Sequence, residues 1–597
     1  MAILSGVVDG NNDYEHGEPL LITTSSSSDH GEGRNLRRSD AVESVVDYRG
    51  DRVYDRSKYG GWKSAYSIIA IDIADSFTYW GISSNLISYL TGPLGQSTVT
   101  AAENINIWGG VVSLLPFLSA FVADSYLGRF RTVLISGFIY ILGLGLLSLS
   151  VVLPSLISSL NYNDNSFFFS SPTSYQLVFF FCSLYIMAIG RSGCKSCAQA
   201  FGADQFDGRD PKECKSKSSF FNWWFLGLIF GNGISHLTLN YIQDNMGWGL
   251  GFGIPCTVVV VALVIFLLRT KTYRYSVIEK KQNPLVRITR VFIAAAKNWR
   301  KTPSLDSLQE DTVKLPGMHL GANQFRFLDK ALIDISKDSL RKNDIKCTAD
   351  QVEEAKAAIR LVPIWLTCLI YGIAVAQSTT FCIKQGNTMN RKIGRDFEIP
   401  SASMQIFGSV AVVFSIVFYD RVFVPSARSF TGKPTGITML QRIGCGMFVS
   451  TVSMVVAAIV EKTRLQIALD NGLIDMPQAT VPMSIWWLVP QYILQDTSDI
   501  FALIGMQEFF YDQVPNELRS VGLGLYSSIL GMGHFLSGFL ISIVDKLTSG
   551  SGRYSWFSDN LNRAHIDFFY WLLAGLSAFE LLTFIYVSKS YIYKSCR

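Results

Sequence analysis

From Trp62 onward the chain alternates long apolar blocks with short polar links. A membrane helix needs roughly 20 mostly apolar residues, because that length crosses about 30 Å of hydrocarbon. About twelve blocks approach it: Trp62–Leu90, Ile107–Val122, Thr132–Leu153, Leu177–Gly190, Phe220–Leu239, Trp248–Leu268, Leu361–Thr380, Met404–Tyr419, Ile443–Val460, Ser484–Met506, Val521–Val544 and Phe568–Val587. The pattern predicts an all-α polytopic membrane protein, since a lipid-embedded chain must satisfy its backbone within each helix. Residues 1–61 break the pattern; they are polar, rich in Ser, Gly and Asp, and predict a disordered tail with no cleavable signal peptide.

Composition agrees with the pattern: 49% of residues are apolar and 17% charged, with mean hydropathy +0.26, against about 25% charged in soluble domains. Basic residues are placed unevenly. The link after the second block holds Arg129 and Arg131, and the link after the fourth holds Arg209, Lys212, Lys215 and Lys217. Intervening links such as TGPLGQSTVTAAEN hold no Lys or Arg. The positive-inside rule places the basic links and both termini in the cytoplasm, although NRKIGRDFE after the seventh block obeys it less well. The net charge of +5 is read as topology, not as nucleic-acid binding.

Six blocks, a polar insert and six more blocks divide the chain into a tail (1–61), a first bundle (62–268), a cytoplasmic central loop (269–356), a second bundle (357–588) and a cytoplasmic tail (589–597). The end of the insert, ADQVEEAKAAIRLVP, has helix-forming composition and runs into the seventh span. Two links echo one another: ADSYLGRFRT holds Asp124, Arg129 and Arg131, and YDRVFVPSARSFTG holds Asp420 and Arg421. An acid at a helix end followed by Arg can latch neighbouring helices, so these five residues are the expected cytosolic gate. Thr132, three residues after Arg129, is a candidate site for a basophilic kinase.

The first block contains the costliest residues. Asp72 and Asp75 interrupt IDIADSFTYWGISSNLISYL, and an acid at the centre of a span costs about 2.5–3.5 kcal/mol on insertion scales. Asp72, Asp75, Ser76 and Tyr79 follow i, i+3, i+4, i+7 spacing and so share a helix face, which must look inward at a cavity or at polar partners. Few cations are available at membrane depth. Lys195 lies near the cytosolic half of the fourth span with Arg191 one turn earlier, while Asp496 and Asp499 interrupt the tenth span and Glu580 the twelfth, where no polar face surrounds it. Lys195 is the expected partner of the first-span acids.

Other chemistry is weak. Cys194-Lys-Ser-Cys197 sits at a helix end, the six histidines are dispersed without ligand spacing, and glycine runs such as GLGLYSSILGMG have helix-packing spacing. No metal, cofactor or enzymatic nucleophile is expected.

The pieces YWGISSNLISYLTGPLG, ADSYLGRFRT, AFGADQFD, SFFNWW, LVPIWL, AQSTTFCIKQG, YDRVFVP and QEFFYDQVP occur in that order across the membrane region. With them the chain resembles the plant nitrate/peptide transporter family, the proton-dependent oligopeptide branch of the major facilitator superfamily. The resemblance implies the major facilitator fold of two six-helix bundles, alternating access, and proton-linked symport of nitrate, peptides or specialised metabolites. The family's first-span motif E-x-x-E-R/K reads here Asp72-Ile-Ala-Asp75-Ser76, so both acids are shortened and the cation is absent. The family's tenth-span acid falls on Asp499, its fourth-span lysine on Lys195, and the His of a nitrate-binding member on Val375. Asp72, Asp75, Asp499 and Lys195 are thus the expected proton-coupling residues; Ser76, Tyr79, Trp80, Trp223, Val375 and Gln377 are expected around the substrate. The altered motif leaves an uncoupled facilitator or exporter as an alternative, and a non-transporting receptor or scaffold as one of another class. Expected partners are the lipid bilayer, a small solute, protons and a kinase. The loose dileucine-like stretch EHGEPLL does not decide between plasma and vacuolar membrane.

Overall fold

The structure, a computed structural model, describes residues 45–56, 58–160, 174–207, 210–276, 284–299, 325–332, 347–395, 397–432, 436–514, 519–550 and 555–591. EHGEPLL and most of the central insert lie outside them. Eight helices are long and apolar enough to cross a membrane: Thr98–Leu127, Arg129–Leu153, Ser174–Ala203, Trp248–Leu268, Ser401–Phe430, Met439–Asp470, Val521–Thr548 and Ile566–Lys589. A ninth passage bends by 44° between Ala349–Thr367 and Leu369–Asn387. Three further helices bring the passages among the described residues to twelve: Gly61–Ser83 with its continuation Leu86–Thr91, Pro211–Asn245 and Val489–Asp512. Numbered along the chain, these three are spans 1, 5 and 10. They are too polar to pass as membrane helices on composition, and they carry Asp72, Asp75, Trp224, Asp496 and Asp499. The site is built on the helices that hydropathy identifies worst.

Local signals set the helix ends. Ser97 accepts from the Thr100 N–H at the start of span 2, and Asp210 accepts from Glu213 N–H before Pro211 at the start of span 5. Spans 7 and 9 open on the same capping box, Thr348 with Gln351 and Thr438 with Gln441. Helix runs unbroken from the end of the insert into span 7, over Ala349–Thr367. Several helices outlast their apolar blocks. Span 2 starts at Thr98 rather than Ile107, because Asn106 faces protein and contacts His534 of span 11 at 3.3 Å. Span 4 continues to Ala203 rather than ending at Gly190, so Arg191 and Lys195 lie inside a helix.

Spans 1–6 pack mainly on one another, as do spans 7–12, and the two sets meet through spans 2 and 11 and through spans 5 and 8. On span 11, Gly524, Gly531 and Gly538 recur every seventh residue along the seam with span 2. A Cβ on Gly531 would lie 2.7 Å from Leu114. Small residues permit this approach where no hydrophobic effect drives helices together. Polar contacts between the halves lie toward the face opposite the basic links. They include Lys384 Nζ to Thr91 Oγ1 (3.1 Å), Asn387 Nδ2 to Ser88 Oγ (3.3 Å) and Ser403 Oγ to the carbonyl of His236 (2.7 Å).

The expected unfolded tail ends earlier than residue 61. Val45–Val46 pairs antiparallel with Tyr275–Ser276 just after span 6. The fully buried Arg274 requires the fold there, because its guanidinium must find acceptors out of water. It takes both oxygens of Glu213 (2.6 and 3.0 Å), the carbonyl of Gln205 (3.1 Å) and the carbonyls of Arg56 and Tyr59. Glu213 also accepts from the Asp207 N–H (2.6 Å), which joins the link after span 4 to the same buried cluster.

Candidate functional site

The polar face of span 1 divides between two neighbours. Residues 72 and 76 differ by about 40° around the helix, as do 75 and 79, and the two pairs are offset by about 60°. Asp72 and Ser76 turn to span 5: Trp224 Nε1 donates to Asp72 Oδ2 (2.8 Å), and Ser76 Oγ donates to the carbonyl of Leu228 (2.8 Å). The close approach is set by Gly231, where a Cβ would lie 2.8 Å from the carbonyl oxygen of Ile73. Ser76, expected beside the substrate, is therefore 6% exposed and packed between helices.

Asp75 and Tyr79 turn to span 4. Arg191 Nε lies 3.0 Å from Asp75 Oδ1, with both side chains buried. The same guanidinium lies over the Tyr79 ring at 3.7 Å from its centroid, within cation–π range. Tyr79 in turn stacks on Trp108 at 5.8 Å. Lys195, the expected partner, makes no ion pair with Asp72 or Asp75 within 4 Å in this conformer; it is exposed, yet close enough to feel both charges. Arg191 takes the role because the longer helix turns it, one turn before Lys195, into the core. Its signal in the sequence was an Arg inside a run that continues helical through GRSGCKSC.

Two other expected residues are displaced. Trp223, 57% exposed, shares a face with Leu226 and Phe230, and its neighbour Trp224 makes the contact with Asp72. Gln377 is fully buried; its Nε2 donates to the carbonyl of Ile373 (2.8 Å) and to Ser537 Oγ of span 11 (3.0 Å), which fastens span 7 instead of facing a solute. Val375 is half-buried, and so is Trp80, whose ring lies 6.1 Å from that of His236.

In the second half the acids have different company. Tyr371 Oη donates to Asp499 Oδ1 (2.5 Å), and Gln495 Nε2 donates to the same oxygen (3.2 Å). Asp496 packs against Gly408 of span 8. Among the described residues no Lys, Arg or His side chain lies within 4 Å of either carboxylate. Glu580 also packs inward, contrary to its apolar surroundings in sequence, and accepts from the Tyr371 N–H (2.8 Å).

At the basic links, Arg129 pairs with Asp204 at the end of span 4 (2.5 Å) rather than with Asp124, while Asp124, Arg131 and Arg421 are exposed. The Asp420 side chain lies outside the described residues. The second half echoes this pair through another residue: Arg442, at the start of span 9, reaches Glu508 near the end of span 10 (3.3 Å). Thr132, the candidate kinase site, is 4% exposed, and its hydroxyl donates to the carbonyl of Gly128 (3.0 Å), so no kinase reaches it in this conformer.

A family model described as POT family matches residues 130–557. The chain belongs to the POT family. It is 52% identical over 591 residues to the Arabidopsis thaliana protein NRT1/PTR FAMILY 5.10, covering 99% of both chains. It is 50% identical to NRT1/PTR FAMILY 5.16 and 42% to NRT1/PTR FAMILY 5.4 of the same organism, covering 93% and 90% of this chain and 97% and 95% of theirs. Among solved structures, the POT family transporter PepTSo matches with a TM-score of 0.66 and 19% identity, over 89% of this chain and 98% of that one. An auto-inhibited POT family peptide transporter matches equally, at 0.66 and 18%, with the same coverage. The protein is thus a multi-pass membrane transporter of this family and not an enzyme. In this chain the cation beside Asp75 comes from Arg191 of span 4, whereas the residue that follows Asp75 in span 1 is Ser76.

Proposed function

We propose that this POT-family protein moves a small polar or anionic solute, of the nitrate, peptide or specialised-metabolite class, by alternating access between its two bundles, with proton linkage. The observation that carries the reading is the unequal treatment of its intramembrane acids. Asp75 has Arg191 and Asp72 has the Trp224 N–H, whereas Asp496 and Asp499 share a helix turn with no cation beside them. With no cation to fix either as a carboxylate, the pair is the place on span 10 where a proton can be exchanged. Asp499 is the proposed proton carrier, Lys195 the free cation that meets a solute anion, and the Asp75–Arg191 pair a fixed element. Arg129 belongs to the gate, since it pairs with Asp204 and also feels the charge of Asp124.

Flux measurements in proteoliposomes with an imposed pH gradient, a trapped pH dye, and nitrate and dipeptides as probes test this. Wild type should acidify the lumen as solute enters. Asp499→Asn should abolish the accumulation driven by the gradient, which for one proton per solute reaches about tenfold per imposed pH unit, while leaving solute exchange in place. Flux without acidification would establish the facilitator, and no flux with any probe would favour the receptor or scaffold.

A further inference from the structure

Span 7 is broken at Cys368, between Ala349–Thr367 and Leu369–Val375, five residues after Pro363. A helix that restarts inside a membrane protein exposes unpaired N–H groups in its first turn. No side chain of its own cap residue serves them. Glu580 does so from span 12: its Oε1 accepts from the Tyr371 N–H at 2.8 Å, and the side chain is 2% exposed. Tyr371 also reaches the other way, its hydroxyl donating to Asp499 Oδ1 at 2.5 Å and lying 2.9 Å from Ser498 Oγ. One residue therefore touches both acids, with its amide on Glu580 and its phenol on Asp499. The next residue, Gly372, has its backbone against Gly533 of span 11, where a Cβ would lie 2.8 Å from the Gly533 Cα. The break is thus held from span 12, from span 10 and from the span that seams the two halves.

We propose that Glu580 is a positioning residue: it pins the restart of span 7, and through Tyr371 ties the bend of that span to the carboxylate of Asp499. When Asp499 changes its charge or its partner, the Tyr371 ring must move. The anchored Tyr371 amide then passes that movement to the bend, and Gly372 and Gln377 pass it on to span 11. Around Glu580 the titratable neighbours are Cys368 and Tyr371; around Asp499 they are Tyr371, Asp496 and Tyr526. This inference deepens the transport reading, taking the bend as a moving part of that cycle.

Hydrogen–deuterium exchange of the full chain in lipid nanodiscs tests it without any solute. Glu580→Ala should speed exchange of the amides at 369–371 by about tenfold or more, whereas Glu580→Gln, which keeps a carbonyl acceptor, should stay within about threefold of wild type. Asp499→Asn should change exchange at the same amides in wild type, and this response should vanish when combined with Glu580→Ala. Should Glu580→Ala fail to fold, Tyr371→Phe, which removes the hydroxyl contacts to Asp499 and Ser498 but keeps the amide on Glu580, should also abolish the response, while Ser498→Ala should leave it in place. Unchanged exchange in Glu580→Ala, or a full response to Asp499→Asn in Tyr371→Phe, would overturn the proposal even if transport were intact. Absence of flux with normal exchange results would instead sink the transport reading alone.

Discussion

The two halves of the membrane region both bury acids, but they treat them differently. In the first half Asp75 meets a guanidinium and Asp72 an indole N–H, each supplied by a neighbouring span. In the second half Asp499 meets a phenol and an amide, Asp496 packs on a glycine, and Glu580 accepts from a backbone N–H. The first arrangement fixes charge in place. The second has only neutral partners, so a proton can come and go there without leaving a buried cation unpaired. The two halves thereby keep a rigid acid site apart from an adaptable one.

Breaking the first-half pair is the strongest test of this contrast. Arg191→Ala leaves Asp75 buried without its cation, a change that costs about 3–5 kcal/mol. The variant should show a large drop in thermal unfolding temperature in detergent, and Arg191→Gln with Asp75→Asn should recover most of it. A single variant as stable as wild type would mean that Asp75 is not held as described. Trp224→Phe comes next. It removes a hydrogen bond to a carboxylate, typically about 1.5–3 kcal/mol, and should lower stability without altering the pH dependence of flux. A shifted pH profile would move Asp72 from the fixed to the proton-exchanging acids. Lys195→Ala should have the smallest structural effect, within about 0.5 kcal/mol for an exposed side chain, yet should weaken uptake of an anionic solute. Equal losses of stability in Lys195→Ala and Arg191→Ala would erase the distinction between the two cations.

Much of this organisation was legible in the sequence, for reasons that differ by feature. The apolar blocks fall on the nine passages that are long and apolar enough to cross a membrane, because hydrocarbon demands a minimum apolar length, and on the three more polar helices less distinctly. They failed at the ends, as at Thr98 and Ala203, because a helix buried among other helices tolerates polar residues that lipid would reject. Spacing put Asp72, Asp75, Ser76 and Tyr79 on one face, but an offset of about 60° between the pairs suffices to direct them at two different neighbours. Partner choice was the hard part. Lys195 and Arg191 lie one turn apart on one helix, and only packing decides which turns inward. The same holds for Trp223 and Trp224. Glu580 had no readable role, because the group it serves is a backbone N–H freed by a bend more than two hundred residues earlier.

The face opposite the basic links is closed by hydrogen bonds such as those of Lys384 to Thr91, Asn387 to Ser88 and Ser403 to the His236 carbonyl, and no ion pair between described residues joins the two halves. Each such bond contributes about 0.5–1.5 kcal/mol net, so a few of them amount to a few kcal/mol. A gap of that size leaves the alternative state populated at about 0.1–10%. In the proposed cycle the empty protein would then reset spontaneously, and its resting population, rather than any single latch, would set how quickly the next molecule is met.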